Sequence, residues 1–325
     1  MASAYTPGQI SDFLNYINIP SKFHLENNPP RDFAFLKALH IHMISTVPYE
    51  NLSLHYNYDH TIRIDPPHLF QKVVDDDRGR GGYCMEVSIF FNHILRGLGF
   101  QAYTAGVRIR LREGGVPAGP FVGWRHIVNI VTLEDGSRYM LDVGFGGDGA
   151  TKPLPLTSGH SVHNLGTQEI RLIHDHIPNQ TYRTETNKLW IYQYRNGSDL
   201  PWNSFYAFPE LEFFETDFHI INWYTGASPE SFQVSTPLIV KFLRRKKDGG
   251  DEEEVEEEEE IYGKRMLVYG TVKENLGGKT KVIQECKSEE ERVKALEDHF
   301  GIKLSEDEIS GIIGHSTELK GPKEA

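Results

Sequence analysis

Cysteine is scarce in this chain: Cys84 and Cys286 are the only two in 325 residues, too few for a disulfide framework. No run of 18 or more apolar residues occurs, so no membrane-spanning helix is expected. The opening Met1-Ala2-Ser3-Ala4-Tyr5 lacks a basic stretch followed by an apolar one, so no secretory leader is read there and a cytoplasmic location is expected. Net positive charge is lacking too. The formal charge is −12, nine of the acids fall at 251–254 and 256–260, and without them −3 remains. A nearly neutral body gives no electrostatic reason to expect nucleic acid or an anionic membrane as partner. Cys286 has no companion at metal-ligand spacing, and no Gly-x-x-x-x-Gly-Lys phosphate loop is present. Neither a metal nor a nucleotide loop is therefore expected. Hydrophobic content of 38% and aromatic content of 11% describe a globular protein, long enough for two or three packed subdomains.

What is present centres on Arg78-Gly79-Arg80-Gly81-Gly82-Tyr83-Cys84-Met85-Glu86-Val87. Val87, Phe90, Phe91, Ile94, Leu95 and Leu98 follow at helical spacing, and Gly97 and Gly99 end the pattern. A flexible glycine run thus delivers Cys84 to a helix start, where unpaired N–H groups and the dipole favour an anion. A cysteine there is expected to have a lowered pKa and to serve as a nucleophile. The plainer reading is a small buried hydrophobe, so the rest of the chain must supply a base.

The first hundred residues read as a small helical bundle. Thr6, Pro7 and Gln9 open a helix as a capping box, and Leu36, Leu39 and Met43 mark a second one that ends before Pro48. His40 and His42 on that helix point to different faces, poor joint metal ligands, and are read as solvated or capping. After Phe100 the texture changes to strands at 103–111, 126–133, 139–143, 170–173, 181–184 and 189–194, with a loop at 113–120, which suggests a barrel or sandwich. Further on come a weak helix at 211–223, strands at 237–243 and 266–272, and a helix capped by Ser288 and stopped by Gly301. The basic residues 244–247 and the acidic run read as one long solvated loop over about 244–261.

The hairpin at 126–143 offers the base. With a three-residue loop at Glu134-Asp135-Gly136, Leu133 pairs with Ser137 and Val128 with Asp142. His126 shares a face with Val128, so Asp142 lies diagonally within reach of it. A two-residue turn would put them on opposite faces. Asp142 could also cap the glycine-rich turn that follows, yet a carboxylate between Leu141 and Val143 needs a partner if buried. Cys84, His126 and Asp142 would then be nucleophile, base and orienting acid.

Arg80-Gly81-Gly82-Tyr83-Cys84-Met85-Glu86, Trp124-Arg125-His126 and Leu141-Asp142-Val143-Gly144-Phe145-Gly146 resemble the arylamine N-acetyltransferases, as does Val47-Pro48-Tyr49-Glu50-Asn51-Leu52 upstream. The likeness is strong over residues 6–147 and thins to Asn222-Trp223-Tyr224 and 228–232. It implies an α+β fold of several subdomains around a cysteine-protease-like Cys-His-Asp core: a helical bundle (1–101), a β-barrel (102–208) and an α/β lid (209–325). It implies ping-pong transfer from acetyl-CoA, or malonyl-CoA as in some fungal relatives, through a Cys84 thioester to an aromatic amine or hydrazine. Val122, Gly123, Tyr224 and Glu230 would lie along the CoA; Arg125, His126 and Phe145 would line the acceptor pocket. Detoxification of foreign amines by a monomer or weak homodimer is the implied setting. Ser88 stands where many relatives carry Asn, and the acidic loop is no general family feature. The triad alone would equally permit a Cys-His-Asp hydrolase, and an inactive relative acting as a binding protein would keep the same fold.

Overall fold

The computed structural model describes residues 2–247 and 258–321. Helix α1 (Pro7–Tyr16) begins where Thr6 accepts from the Gln9 N–H while the Gln9 carboxamide accepts from the Thr6 N–H. Helix α2 (Phe33–Thr46) is capped by Asp32 and stops at Val47, ahead of Pro48. A two-residue strand β1 (Tyr49–Glu50), short helices α3 (Ser53–Tyr56) and α4 (Pro66–Phe70), and a π-helical turn at Gln71–Asp75 lead to α5 (Cys84–Gly97). The six apolar residues of the predicted stripe are buried, and so are Met85, Ser88 and Ile89 between them. Helix α5 is therefore the enclosed rod of this third, not an amphipathic surface helix. His40 and His42, expected in solvent or as caps, are both buried. α2 is covered over most of its circumference, and each imidazole satisfies a carbonyl: His40 Nε2 with Ala150 and His42 Nδ1 with Ile17, both at 3.0 Å.

Strands β2 (Gln101–Glu113), β3 (Val116–Thr132), β4 (Arg138–Leu141), β5 (Leu154–Pro155), β6 (Ser161–His163), β7 (Glu169–Asp175), β8 (Leu189–Arg195) and β9 (Asn203–Phe208) form one antiparallel sheet. Its order is β5-β4-β3-β2-β9-β8-β7-β6, curled into a nearly closed barrel around Val128, Ile130, Met140, Tyr192 and Tyr206. The loop expected at 113–120 shrinks to Gly114-Gly115, both at positive φ, and the rest of it pairs as strand. Glycine and proline content reads as loop, but a two-residue turn of this kind propagates the ladder on both sides. Thr181–Thr184 is irregular where a strand was expected. There Arg183 donates to the carbonyls of Gln180 and Pro178 and His176 engages that of Thr184, local bonds that replace a ladder.

A second sheet follows helices α6 (Glu215–Ala227) and α7 (Phe232–Ser235): β10 (Leu238–Lys246), β11 (Glu259–Val268), β12 (Thr271–Asn275) and β13 (Lys281–Glu285), with helices α8 (Glu289–Phe300) and α9 (Glu306–Gly311) after it. Its edge is β1, which pairs Tyr49 with Val240 and Glu50 with Ile239. Helix α6 starts four residues later than expected because Asp217 accepts from the Phe214 N–H. The single strand expected at 266–272 is two, folded at Tyr269-Gly270 with Tyr269 at φ +59. The expected loop at 244–261 is also partly strand: Arg244 pairs with Ile261, Arg245 with Glu260 and Lys246 with Glu259. Ion pairs cross it, Arg244–Glu259 at 3.1 Å and Arg245–Glu260 at 2.8 Å. A run of like charge repels itself, but a basic run laid against it across a hairpin favours pairing. The middle of the acidic run, 248–257, lies outside the described residues. Among the described residues no helix is long and apolar enough to cross a membrane.

Candidate active site

Cys84 is the first residue of α5, and Glu86 fixes that start by accepting from the Tyr83 N–H at 3.0 Å. The preceding glycines are close-packed, not free: a Cβ on Gly81 would fall 1.9 Å from the Pro48 carbonyl oxygen. Behind the helix start lies a buried ionic cluster. Lys72 Nζ is 2.7 Å from Glu86 and 3.3 Å from Glu50, Arg80 Nε donates to Glu50 at 3.0 Å, and Arg80 also pairs with Glu308 of α9. Burial alone would raise the Glu50 carboxyl, but Arg80 and Lys72 outweigh it and hold it near about 2. Burial raises that of Glu86.

The hairpin has the register that the three-residue loop requires. Gly136, at φ +84, donates to the Leu133 carbonyl, Leu133 donates to that of Ser137, and Asn129 pairs with Leu141. This continuation carries Asp142 to His126: Oδ2 lies 2.9 Å from His126 Nε2. Its other oxygen accepts from the Gly144 N–H at 3.1 Å, so one carboxylate orients the imidazole and caps the turn, and its burial is satisfied. With Nε2 engaged, Nδ1 is the nitrogen left for another partner. The turn then meets the helix. A Cβ on Gly144 would come 2.8 Å from Cys84 Cα, so only glycine allows this approach.

Cys84 and His126 line one cavity of about 70 Å³, together with Tyr49, Arg125, Phe145 and Gln233. Cys84 Sγ is 4.0 Å from the Arg125 carbonyl oxygen, and the Phe145 ring lies 5.0 Å from that of His126. The expected lowering of the Cys84 pKa is not what this environment gives. Burial pushes the thiol up, the Asp142 and Glu86 carboxylates push the same way, and the Met85 N–H opposes them only in part. A helix N-terminus is outweighed when the cysteine is only 4% exposed. An ionised sulfur here therefore calls for a proton acceptor in the same cavity.

Of the other expected site residues, Arg125 and Phe145 line the cavity. Tyr224 and Glu230 are not among the lining residues but are joined to one of them: Arg125 Nη2 donates to the Tyr224 oxygen at 2.6 Å, and that hydroxyl donates to Glu230 at 3.0 Å. Val122 and Gly123 lie earlier on β3 and are not among the lining residues; Gly123 is exposed, with open space where a side chain would project. Sequence reasoning missed the roof, Thr225, Ser231, Phe232 and Gln233 of the α6–α7 segment. Gln233 donates to the Tyr49 hydroxyl at 2.6 Å and accepts from Asn51 at 3.0 Å. The family likeness at residues 47–52 and at 228–232 lies beside both partners, yet neither stretch says that they meet. Behind the site the Ser88 hydroxyl is buried with no partner among the described residues, while Asn129 donates to the Ser88 carbonyl.

An N-acetyltransferase family model matches residues 32–250. An N-malonyltransferase of Fusarium pseudograminearum is 33% identical over 95% of this chain and 92% of its own length. Among solved structures, an arylamine N-acetyltransferase from Salmonella typhimurium superposes with a TM-score of 0.74 at 20% identity, covering 95% of this chain and 99% of that one. The Mycobacterium marinum arylamine N-acetyltransferase in complex with CoA gives 0.72 at 21% identity, covering 95% and 99%.

Proposed function

The chain belongs to the arylamine N-acetyltransferase family as a fungal-type member, and from that premise we propose that it passes an acyl group from a coenzyme A thioester, through Cys84, to the nitrogen of an aromatic amine or hydrazine. It is an acyltransferase. The observation that carries the finer reading is the His126–Asp142 pair, 2.9 Å apart, sharing one cavity with a buried cysteine whose thiol burial pushes up.

His126 accepts the Cys84 proton at Nδ1, and Asp142 at Nε2 stabilises the imidazolium. The sulfur attacks the thioester carbonyl, the tetrahedral oxyanion collapses, and the coenzyme thiolate leaves with the proton from His126. An amine then attacks the acyl–Cys84 carbonyl, His126 takes the amine proton, and the sulfur is expelled and reprotonated. A cavity of about 70 Å³ fits the acyl group rather than coenzyme and amine together, which supports two half-reactions in turn. Enclosure by Phe145 and the α6–α7 roof excludes water and favours the amine over hydrolysis. In this reading the coenzyme runs along Val122-Gly123 and Tyr224–Glu230, and Arg125 and Phe145 meet the small substrates. The three-part division at 101 and 208, the cysteine-protease-like core, the cytoplasmic setting and a role in clearing foreign amines belong to the same proposal. Either an acetyl or a malonyl donor is compatible with it.

Initial-rate kinetics test it. Parallel double-reciprocal lines for acyl-CoA and an aniline, with CoA release rising at least tenfold when amine is added, are expected. CoA release at the same rate without amine would move the assignment to a hydrolase.

A further inference from the structure

We propose that Arg125 selects the acyl donor, recognising the far carboxylate of a malonyl group and so favouring malonyl-CoA over acetyl-CoA. This rests on the thioester reading above and sharpens it to a substrate class.

Arg125 is the one permanently charged side chain in the lining of the Cys84 cavity; its neighbours there are apolar or neutral apart from His126. A guanidinium carries five N–H donors and is charged at every physiological pH. Among the described residues one of these donors has a partner, the Tyr224 oxygen at 2.6 Å, with the guanidinium carbon 4.7 Å from the Tyr224 ring centre. Among the described residues no carboxylate pairs with it. Glu230 is spent one step away, accepting the Tyr224 proton, so the phenol presents a lone pair to Arg125. Tyr224 thus holds the guanidinium in place without neutralising it.

The cation also sits where an acyl chain must go. The Arg125 carbonyl oxygen is 4.0 Å from Sγ, and the residue is among those lining the same cavity. On a malonyl thioester the carboxylate lies two carbon–carbon bonds, about 3 Å, beyond the carbonyl carbon. In a space of about 70 Å³ that charge stays against the lining. An unpaired carboxylate there is costly, and Arg125 meets it with charge-assisted, two-pronged geometry. Acetyl brings no charge and leaves the guanidinium unanswered, the asymmetry that makes polar sites reject analogues lacking the matching group.

The phosphates of coenzyme A are the other anions that Arg125 could meet, and both donors carry them alike, so the ratio of donors separates the two sources. The experiment compares kcat/KM for malonyl-CoA and acetyl-CoA, with one aniline, in the wild type, Arg125→Met and Arg125→Lys. The malonyl-to-acetyl ratio is expected to exceed 10 in the wild type, to fall about a hundredfold in Arg125→Met and to recover in part in Arg125→Lys. The wild type assayed with the methyl ester of malonyl-CoA, the same chain without the charge and one methyl group longer, is expected to fall to acetyl-like rates, and this arm needs no variant to fold. An unchanged ratio in Arg125→Met, including equal losses with both donors, or full activity with the ester, would overturn the inference while leaving the thioester reading intact. No acyl adduct on wild-type Cys84 from either donor would overturn both.

Discussion

Behind Cys84, the acidic and basic residues Glu50, Lys72, Arg80 and Glu86 are each 5% exposed or less, and both basic side chains there touch a carboxylate. In front of it, Arg125 is half-buried, and among the described residues its guanidinium bonds to a phenol and to no carboxylate. The residue types are the same on both sides; pairing and enclosure differ. Charges withdrawn from water and matched to one another brace the helix start, because removing one leaves its partner uncompensated. A charge at a cavity wall with unused donors is free to answer something that arrives. The bracing also spans the chain. Glu50 comes from β1, Lys72 from the π-helical turn, Arg80 from the loop before α5 and Glu308 from α9, so segments more than two hundred residues apart converge on the nucleophile.

The largest effect that sharpens this contrast is in front. Asp142→Asn keeps the size of the side chain but no longer stabilises an imidazolium on His126, and kcat is expected to fall on the order of 10⁴-fold while urea unfolding moves little. A loss of stability in proportion to the loss of rate would place Asp142 with the brace instead. Next is Arg80→Met. It leaves buried Glu50 with Lys72 alone and Glu308 with Arg78 alone and is expected to cost about 3 kcal/mol in urea unfolding, whereas Arg125→Met costs under about 1 kcal/mol because its partner is neutral and partly wet. Equal costs would erase the distinction between the two sides.

The smallest effect is a pH dependence. Glu50 is held near about 2, below its ordinary 4.5. A carboxyl depressed by folding gives stability that is present above the unfolded value and is lost as pH falls through the folded one. Wild-type stability is therefore expected to drop between about pH 4.5 and 2 more steeply than that of Glu50→Gln. Glu86, raised by burial and in part by Glu50 itself, works in the opposite direction, so the difference reports the Glu50–Glu86 pair. Parallel profiles would contradict the assignment.

Much of this was legible in the residues because it is local. The Thr6–Gln9 box, the helix stop at Pro48 and the apolar stripe of α5 are fixed within a few positions of themselves, and Gly136 fixed the hairpin register that joins Asp142 to His126. What stayed hidden depends on distant segments. Nothing beside Tyr49 says that it will edge a sheet with Val240, and nothing near Gln233 says that it will roof the cavity. The burial of His40 and His42 and the raised pKa of Cys84 arise from what packs around them, which spacing does not encode. Residues 244–261 read as one solvated loop because charge density alone does not show that basic and acidic arms lie opposite each other in a ladder.

The measurement that tests the central claim most directly is intact mass after brief mixing of the protein with acetyl-CoA and, separately, malonyl-CoA, without amine, alongside Cys84→Ala. The expected result is a gain of one acyl group on the wild type, greater with malonyl-CoA, absent from Cys84→Ala and discharged when an aniline is added. An adduct that persists in Cys84→Ala, or a wild type that turns over amine with no adduct ever trapped, would contradict it.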